Sequence, residues 1–210
     1  MKKIIAAAVA AICLASASFA LDFGIGGKAI AGKSVSGLND VTNQIKADPN
    51  YDFGGGAYLN LSLFGGLGVQ AEANVINSSI SISKDGIAKG ESYNTLSVDL
   101  APMLWLNLNL WKLSLGAGVG PNFNIKVGAL SDLLAAEKDQ FKMGLATGAD
   151  LKFYITKHLG LVVSGRYVME FNKTEVPVEV AGMDTGINTP TIEYTRKNVY
   201  GGVGLEYKLF

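Results

Sequence analysis

Three short stretches of this chain hold residue types that can do chemistry, and each lacks part of what that chemistry requires. Gly24-Ile25-Gly26-Gly27-Lys28-Ala29 spells a GxGxxA pattern. A dinucleotide-binding turn with that spelling needs a strand before it and a helix after it. Here the residues upstream read as an export leader, and small residues filling a cramped interior account for the glycines. Asp184-Thr185-Gly186 matches an aspartic-protease triplet, but that mechanism needs two carboxylates sharing a proton. The chain has no second triplet, so a turn in a long loop is the better account. His158 is the only histidine and sits beside Lys157. A histidine-dependent lipid hydrolase or acyltransferase would want that base at the outer rim with a serine partner, and a solvated turn residue is the simpler reading. With one histidine, and its one cysteine (Cys13) inside the leader, the chain is not expected to hold a transition metal. No catalytic residue, metal ligand or cofactor is expected.

A further set of charges is harder to set aside. Lys28, Glu72, Asp99, Asp150 and Arg166 lie in segments that otherwise alternate apolar and small residues. Counted from the nearest short connection, they fall at similar heights. A charge taken out of water must be paired or neutralised. The five are expected to form a hydrogen-bonded plug holding several strands in register. The sharper alternative is a gate on a narrow ion path.

The elements that position them are strands. Apolar residues recur on every second position in eight segments: Leu21–Ala29, Phe53–Leu63, Leu67–Val75, Leu96–Leu104, Trp111–Val119, Met143–Phe153, Leu161–Met169 and Val199–Leu209. Such alternation gives a strand one apolar face. None of the apolar phases contains a charge. The opposite phases hold the charges and many of the 26 glycines. Connections alternate in length: 33–52, 78–91, 125–140 and 173–196 are long, and 65–66, 105–110 and 156–158 are short. All the long ones therefore fall at one end of an up-and-down meander. Loops of that length are usually functional. Within them, Ser131–Lys138 could form a short helix capped by Ser131. Pro102 and Pro121 cannot donate to a ladder, so Pro121 is expected beyond the membrane on the long-loop side, and Pro102 near the short turn with a bulge or water to compensate.

Eight amphipathic strands fit either a soluble barrel with its apolar phase inside or a membrane barrel with that phase against lipid. Four features favour lipid. Charged residues are 17% of the chain, sparse for a soluble surface, while a small polar phase suits a narrow interior. The alternating segments match the ~9–11 tilted residues that cross a bilayer. Aromatics gather in two belts. Phe23, Phe64, Trp105, Trp111, Phe153, Tyr154, Tyr207 and Phe210 are expected at the short-turn end. Tyr51, Phe53, Tyr93, Phe123, Phe141, Phe171 and Tyr194 are expected at the long-loop end. An even meander also closes without leaving unpaired backbone in lipid.

The start of the chain agrees. Lys2 and Lys3 precede an apolar run and the small-x-small site Ser18-Phe19-Ala20, the layout of a cleaved secretory signal. The expected division is residues 1–20 as signal peptide and 21–210 as barrel. Basic and acidic residues balance at 18 each, and loss of the two lysines leaves a slightly acidic chain. That argues against nucleic acid as a partner.

The stretches LSLGAGVGPNF (113–123), GADLKFYITKHLGLVVSGRY (148–167) and VYGGVGLEYKL (199–209) resemble the Gly-x-Gly strand, strand–turn–strand and closing strand of the small outer-membrane β-barrel family of OmpA and OmpX type. The resemblance spans the whole chain after the leader. It implies an all-β, eight-stranded antiparallel transmembrane barrel in the outer membrane of a Gram-negative-type envelope. It also implies that Tyr207, Leu209 and Phe210 form the signal read by the barrel assembly machinery, with Phe210 one step out of phase. The expected role is structural or adhesin-like, through four long extracellular loops that could bind a host or envelope ligand. The alternative is a narrow porin-like channel for small solutes. A lipid-modifying enzyme and a soluble lipid-binding barrel are weaker readings.

Overall fold

The computed structural model describes residues 22–34, 45–49, 51–63, 66–84, 91–127, 141–171, 174–177, 191–195 and 197–209. The leader, the expected helix over 131–138, the Asp184 triplet, Phe64 and Phe210 lie outside them, as do the side chains of Tyr93 and Tyr194. Eight long strands form the wall: β1 (Asp22–Ser34), β3 (Tyr51–Ser62), β4 (Leu67–Lys84), β5 (Glu91–Leu110), β6 (Leu113–Lys126), β7 (Phe141–Tyr154), β8 (Leu159–Glu170) and β11 (Lys197–Lys208). Each pairs antiparallel with its neighbours in sequence order, and β1 pairs with β11 to close the barrel. Closure leaves no sheet edge within the wall.

The apolar phases point outward, as the alternation and girdle arguments required. Ile25, Leu59, Val69, Leu104, Leu115, Leu151, Val163 and Val203 are exposed, and Lys28, Glu72, Asp99, Asp150, Lys152 and Arg166 are buried. A protein with its charges inside and its leucines outside is folded for a hydrocarbon solvent.

Three expectations about the wall need correction. The connections thought long are partly strand. β4 and β5 pair on to Ile82↔Glu91, well past the last β3–β4 rung at Phe53↔Asn77. Beyond that rung β2 (Ile45–Pro49) takes the place of β3 against β4. In the connection after β8, β9 (Thr174–Pro177) and β10 (Thr191–Tyr194) form a separate hairpin. The second correction concerns the turn after β5. The strand continues through Leu110, and Leu110↔Leu113 leaves only Trp111 and Lys112 as the turn. Trp111 has φ 54°, a conformation that two-residue hairpin turns require and glycine adopts more easily. Its ring is 94% exposed, beside the Lys112 ammonium at 5.1 Å.

The third correction follows from the second. Trp105 is not a girdle residue. It lies six positions before the turn, on the inward phase, and is 1% exposed. Tyr154 also points inward, where its hydroxyl donates to Glu206 Oε1 at 2.6 Å. Trp111, Phe153 and Tyr207 remain exposed at the short-turn end, and Tyr51, Phe53, Phe141 and Phe171 at the long-loop end.

The Pro102 and Pro121 problem is solved without a bulge. The β5–β6 ladder pairs Leu100↔Phe123 and Leu104↔Val119 with no shift in register. Pro102 therefore stands opposite Pro121. Pairing between β5 and β6 lapses over 101–103 and 120–122, while Pro102 keeps its place opposite Ala71 and Pro121 opposite Leu145. Two residues without N–H groups share one defect instead of making two.

Candidate functional site in the barrel lumen

Period two sends every second side chain of each strand into an interior about as wide as the side chains themselves. Large groups fit only where a neighbouring strand offers none. A Cβ on Gly26 would overlap the Tyr58 ring, and one on Gly118 would overlap the Trp105 ring. The inward glycines are thus the spaces into which the aromatic and charged side chains fold. Gly118→Val is expected to cost about 1–3 kcal/mol through overpacking. A urea titration of the refolded barrel in vesicles would measure it, and an unchanged midpoint would mean that the ring lies elsewhere.

Glu72 is the centre of the lumen. Its Oε2 accepts from Lys28 Nζ at 2.8 Å and from Asn74 Nδ2 at 3.4 Å. Its Oε1 accepts from Gln70 Nε2 at 2.6 Å, from Arg166 Nε at 2.9 Å and from Arg166 Nη2. Arg166 Nη1 donates to Asp150 Oδ1 at 2.7 Å and to the carbonyls of Gly165 and Ala149 at 2.8 and 3.1 Å. Gln70 Nε2 also reaches Asp150 Oδ2 at 3.3 Å. The guanidinium stacks on Trp105, 4.9 Å from the ring centroid. Two cations and two carboxylates from β1, β4, β7 and β8 thus neutralise one another across the barrel. Buried charges are tolerated only with such pairing and donor saturation.

Four of the five charges expected to meet do so: Lys28, Glu72, Asp150 and Arg166. Asp99 does not. It accepts from Asn124 Nδ2 at 2.5 Å, nearer the loops. The spacing that puts it level with the others requires a turn at 105–110; the turn lies further along β5, at Trp111 and Lys112, so Asp99 stands higher.

The sequence reading missed a second cluster below the plug. Lys152 Nζ meets Glu206 Oε2 at 2.5 Å. Tyr58 lies between the two clusters, its ring 5.8 Å from Lys28 Nζ and 5.4 Å from Lys152 Nζ. Both Lys152 and Glu206 are charges on the inward phase, a signal visible in the sequence, but only the strand stagger shows that they face each other. At the short-turn rim Lys208 Nζ pairs with Asp22 Oδ2 at 3.2 Å. His158 is more than a solvated turn residue: its Nδ1 lies 3.0 Å from the Lys208 carbonyl and its ring stacks on Tyr207.

On the loop side of the plug the lumen turns apolar. Ile30, Ile76, Ala101, Met103, Ala146, Val168 and Tyr200 pack into one cluster with Trp105. Ala101 and Met103 flank Pro102, so this layer lies directly behind the lapsed seam. Polar side chains resume above it, including Asp99, Asn124, Lys142 and Asn198, all buried.

Comparison with known proteins gives the same architecture. A family model described as outer membrane protein beta-barrel domain matches residues 4–193. No curated protein matches the chain. Among solved structures, the outer membrane protein OprG from Pseudomonas aeruginosa is similar at TM-score 0.65 and 17% identity, covering 92% of this chain and 98% of its own. Outer membrane protein AlkL in DMPC bilayers is similar at TM-score 0.60 and 14% identity, covering 90% of each chain. Neisserial surface protein A is similar at TM-score 0.50 and 12% identity, covering 88% of this chain and 96% of its own.

Proposed function

The chain belongs to the outer membrane protein beta-barrel domain family, whose place is the cell outer membrane, and from that premise we propose that it acts as a sealed barrel carrying a structural or surface-binding function at its long-loop end. The observation that carries this reading is the filled lumen. The Lys152–Glu206 pair, the Glu72 plug and the apolar layer are stacked along the barrel, and their side chains are buried. A solute crossing the membrane would have to displace all three. The β4–β5 ribbon, reaching past the shorter wall with β2 added to it, supports a platform for surface contacts.

A second reading is favoured by the Pro102–Pro121 seam. An apolar molecule entering from the loop side would be stopped by the plug, and the weakest part of the wall beside it is the unpaired stretch of β5 and β6. Such a barrel would pass small apolar compounds sideways into lipid. A channel for polar solutes, the other alternative, requires the plug to move.

One reconstitution separates these readings. The purified chain in planar bilayers is expected to show no steady conductance, with Arg166→Ala raising it. An intact protein that conducts steadily, with a conductance altered by Arg166→Ala, would promote the channel. In vesicles, faster transfer of an apolar dye that disappears in Pro102→Val/Pro121→Val would promote the lateral route. Binding to host cells or envelope fractions, lost when 35–50 and 173–196 are replaced by short turns, would support the platform.

The closing strand carries a further proposal. Tyr207 and Leu209 share the outward phase, and Leu209 N–H donates to the Phe23 carbonyl at 2.8 Å. They would form, with Phe210, the segment read by the assembly machinery. Deleting Leu209 and Phe210 is expected to leave export intact and to abolish the heat-modifiable membrane form. Normal levels of that form after the deletion would count against the assignment.

A further inference from the structure

The last contact between β8 and the closing strand is made by a side chain where a backbone group would be expected. In an antiparallel ladder, the residues of a hydrogen-bonded pair exchange both bonds, each N–H going to the other's carbonyl. The β8–β11 ladder ends at Tyr207↔Leu159, and Lys208 with His158 is the next pair beyond it. Half of their exchange is ordinary: Lys208 N–H donates to the His158 carbonyl at 2.7 Å. The other half is blocked. The His158 N–H is turned back on Thr156 Oγ1, 3.2 Å away, which also accepts the Leu159 N–H at 2.9 Å. The imidazole supplies the missing donor. Its Nδ1 lies 3.0 Å from the Lys208 carbonyl, and because a carbonyl only accepts, Nδ1 carries a proton. The same ring stacks on Tyr207, 5.8 Å between centroids.

The order in which the wall forms gives this contact its use. Contacts that close short stretches of chain form first. The turn between β7 and β8 is local and is ordered by Thr156, so the His158 carbonyl and ring are in place before β11 returns across 173–196. The β1–β11 seam joins the first and last strands of the wall and is its least local pairing. What β11 must find on β8 is register, because a slip of one residue turns Glu206 away from Lys152 and out to lipid. His158 reads that register. Both backbone groups of Lys208 point at the turn, whereas the Leu209 N–H points at β1 and donates to the Phe23 carbonyl. A strand slipped by one residue would bring His158 only groups aimed at β1. We propose that His158 is a register pin: it receives Tyr207 and Lys208 as the closing strand docks on β8, while the other edge of that strand stays open until β1 arrives. An open edge is a template for strand addition, so the pinned strand offers the assembly signal to the machinery in its final register. That last step rests on the assembly-signal reading of the previous subsection; the pin itself rests on the contacts of His158.

The test follows the rate at which the urea-unfolded chain gains its heat-modifiable form on dilution into vesicles, first of lipid alone and then carrying the assembly machinery. His158→Asn keeps an N–H close to the place of Nδ1 and loses the ring. His158→Phe keeps the ring and loses the donor. In lipid alone, His158→Asn is expected to fold within about twofold of the native rate and His158→Phe about fivefold slower, the net effect of one hydrogen bond. Unfolding rates in urea are expected to be equal for all three, because a contact already made in the transition state changes folding and not unfolding. His158→Asn as slow as His158→Phe would overturn the proposal. So would a native folding rate in His158→Phe with faster unfolding, the mark of a contact that only stabilises the finished barrel. With the machinery present, the native chain is expected to fold faster than in lipid alone and His158→Phe to lose most of that gain. Machinery that does not speed the native chain would sink the assembly-signal reading, and the rates in lipid alone would still decide the pin.

Discussion

Replacing Glu72 by Gln is expected to destabilise the barrel by about 3–5 kcal/mol, the cost of leaving buried charges without their partner. The substitution keeps the shape and removes the negative charge on which Lys28, Gln70, Asn74 and Arg166 converge. Lys28 loses the carboxylate it pairs with, and Arg166 is left with Asp150. Asp99→Asn is the internal control. Asp99 is as deeply buried, but it lies outside the plug and bonds one neutral amide, Asn124, so its loss should cost much less. Urea unfolding in vesicles would give both values. Adding Arg166→Gln to Glu72→Gln should recover part of the loss, because it removes one of the stranded cations. Equal costs for Glu72→Gln and Asp99→Asn would mean that the charge cluster is not what holds the lumen together.

The second large effect is expected on the outer wall. Val163 is 54% exposed on β8, beside the exposed Val203 and Leu151 of the neighbouring strands. It lies inside both belts, two positions beyond the Leu161↔Phe153 rung and eight before Phe171. Val163→Lys should cost up to about 2–4 kcal/mol, the range for a lysine placed in the hydrocarbon core. Leu159 is on the same face at the short-turn edge, 36% exposed. Leu159→Lys should cost only about 0–1 kcal/mol, because its ammonium can reach the interface. The comparison uses one strand, one face and one new residue, so depth is the only variable. Equal penalties at the two positions would contradict the placement of the membrane.

Some of this was visible residue by residue. The charge-free alternating stretch of each strand announced the outward face before any pairing was known, since period two sends all of those side chains the same way. Lys28, Glu72, Asp150 and Arg166 could be picked out as companions because each puts a charge on an inward phase at a similar height above the short turns. Trp105 could not. Its place in the lumen depends on where β5 turns, and Leu110-Trp111-Lys112-Leu113 carries no Gly, Asn or Asp to mark the corner. The same misplaced turn lifted Asp99 out of the plug. The strand extensions of β4 and β5 were hidden too, because Ser78, Ser79 and Ser81 on β4 and Asn94 and Thr95 on β5 read as loop.

The sequence alone determined that this protein has eight amphipathic strands, which face of each meets lipid, and so the solvent in which it folds. Those properties are local, carried by the two-residue period and the cost of placing a charge in hydrocarbon. The tertiary structure alone decided who meets whom inside. Arg166 reaches Glu72 across 94 residues of chain, Pro102 finds Pro121, and Lys152 meets Glu206. Each of those meetings depends on the tilt and stagger imposed when a sheet closes on itself, and no single strand carries that information.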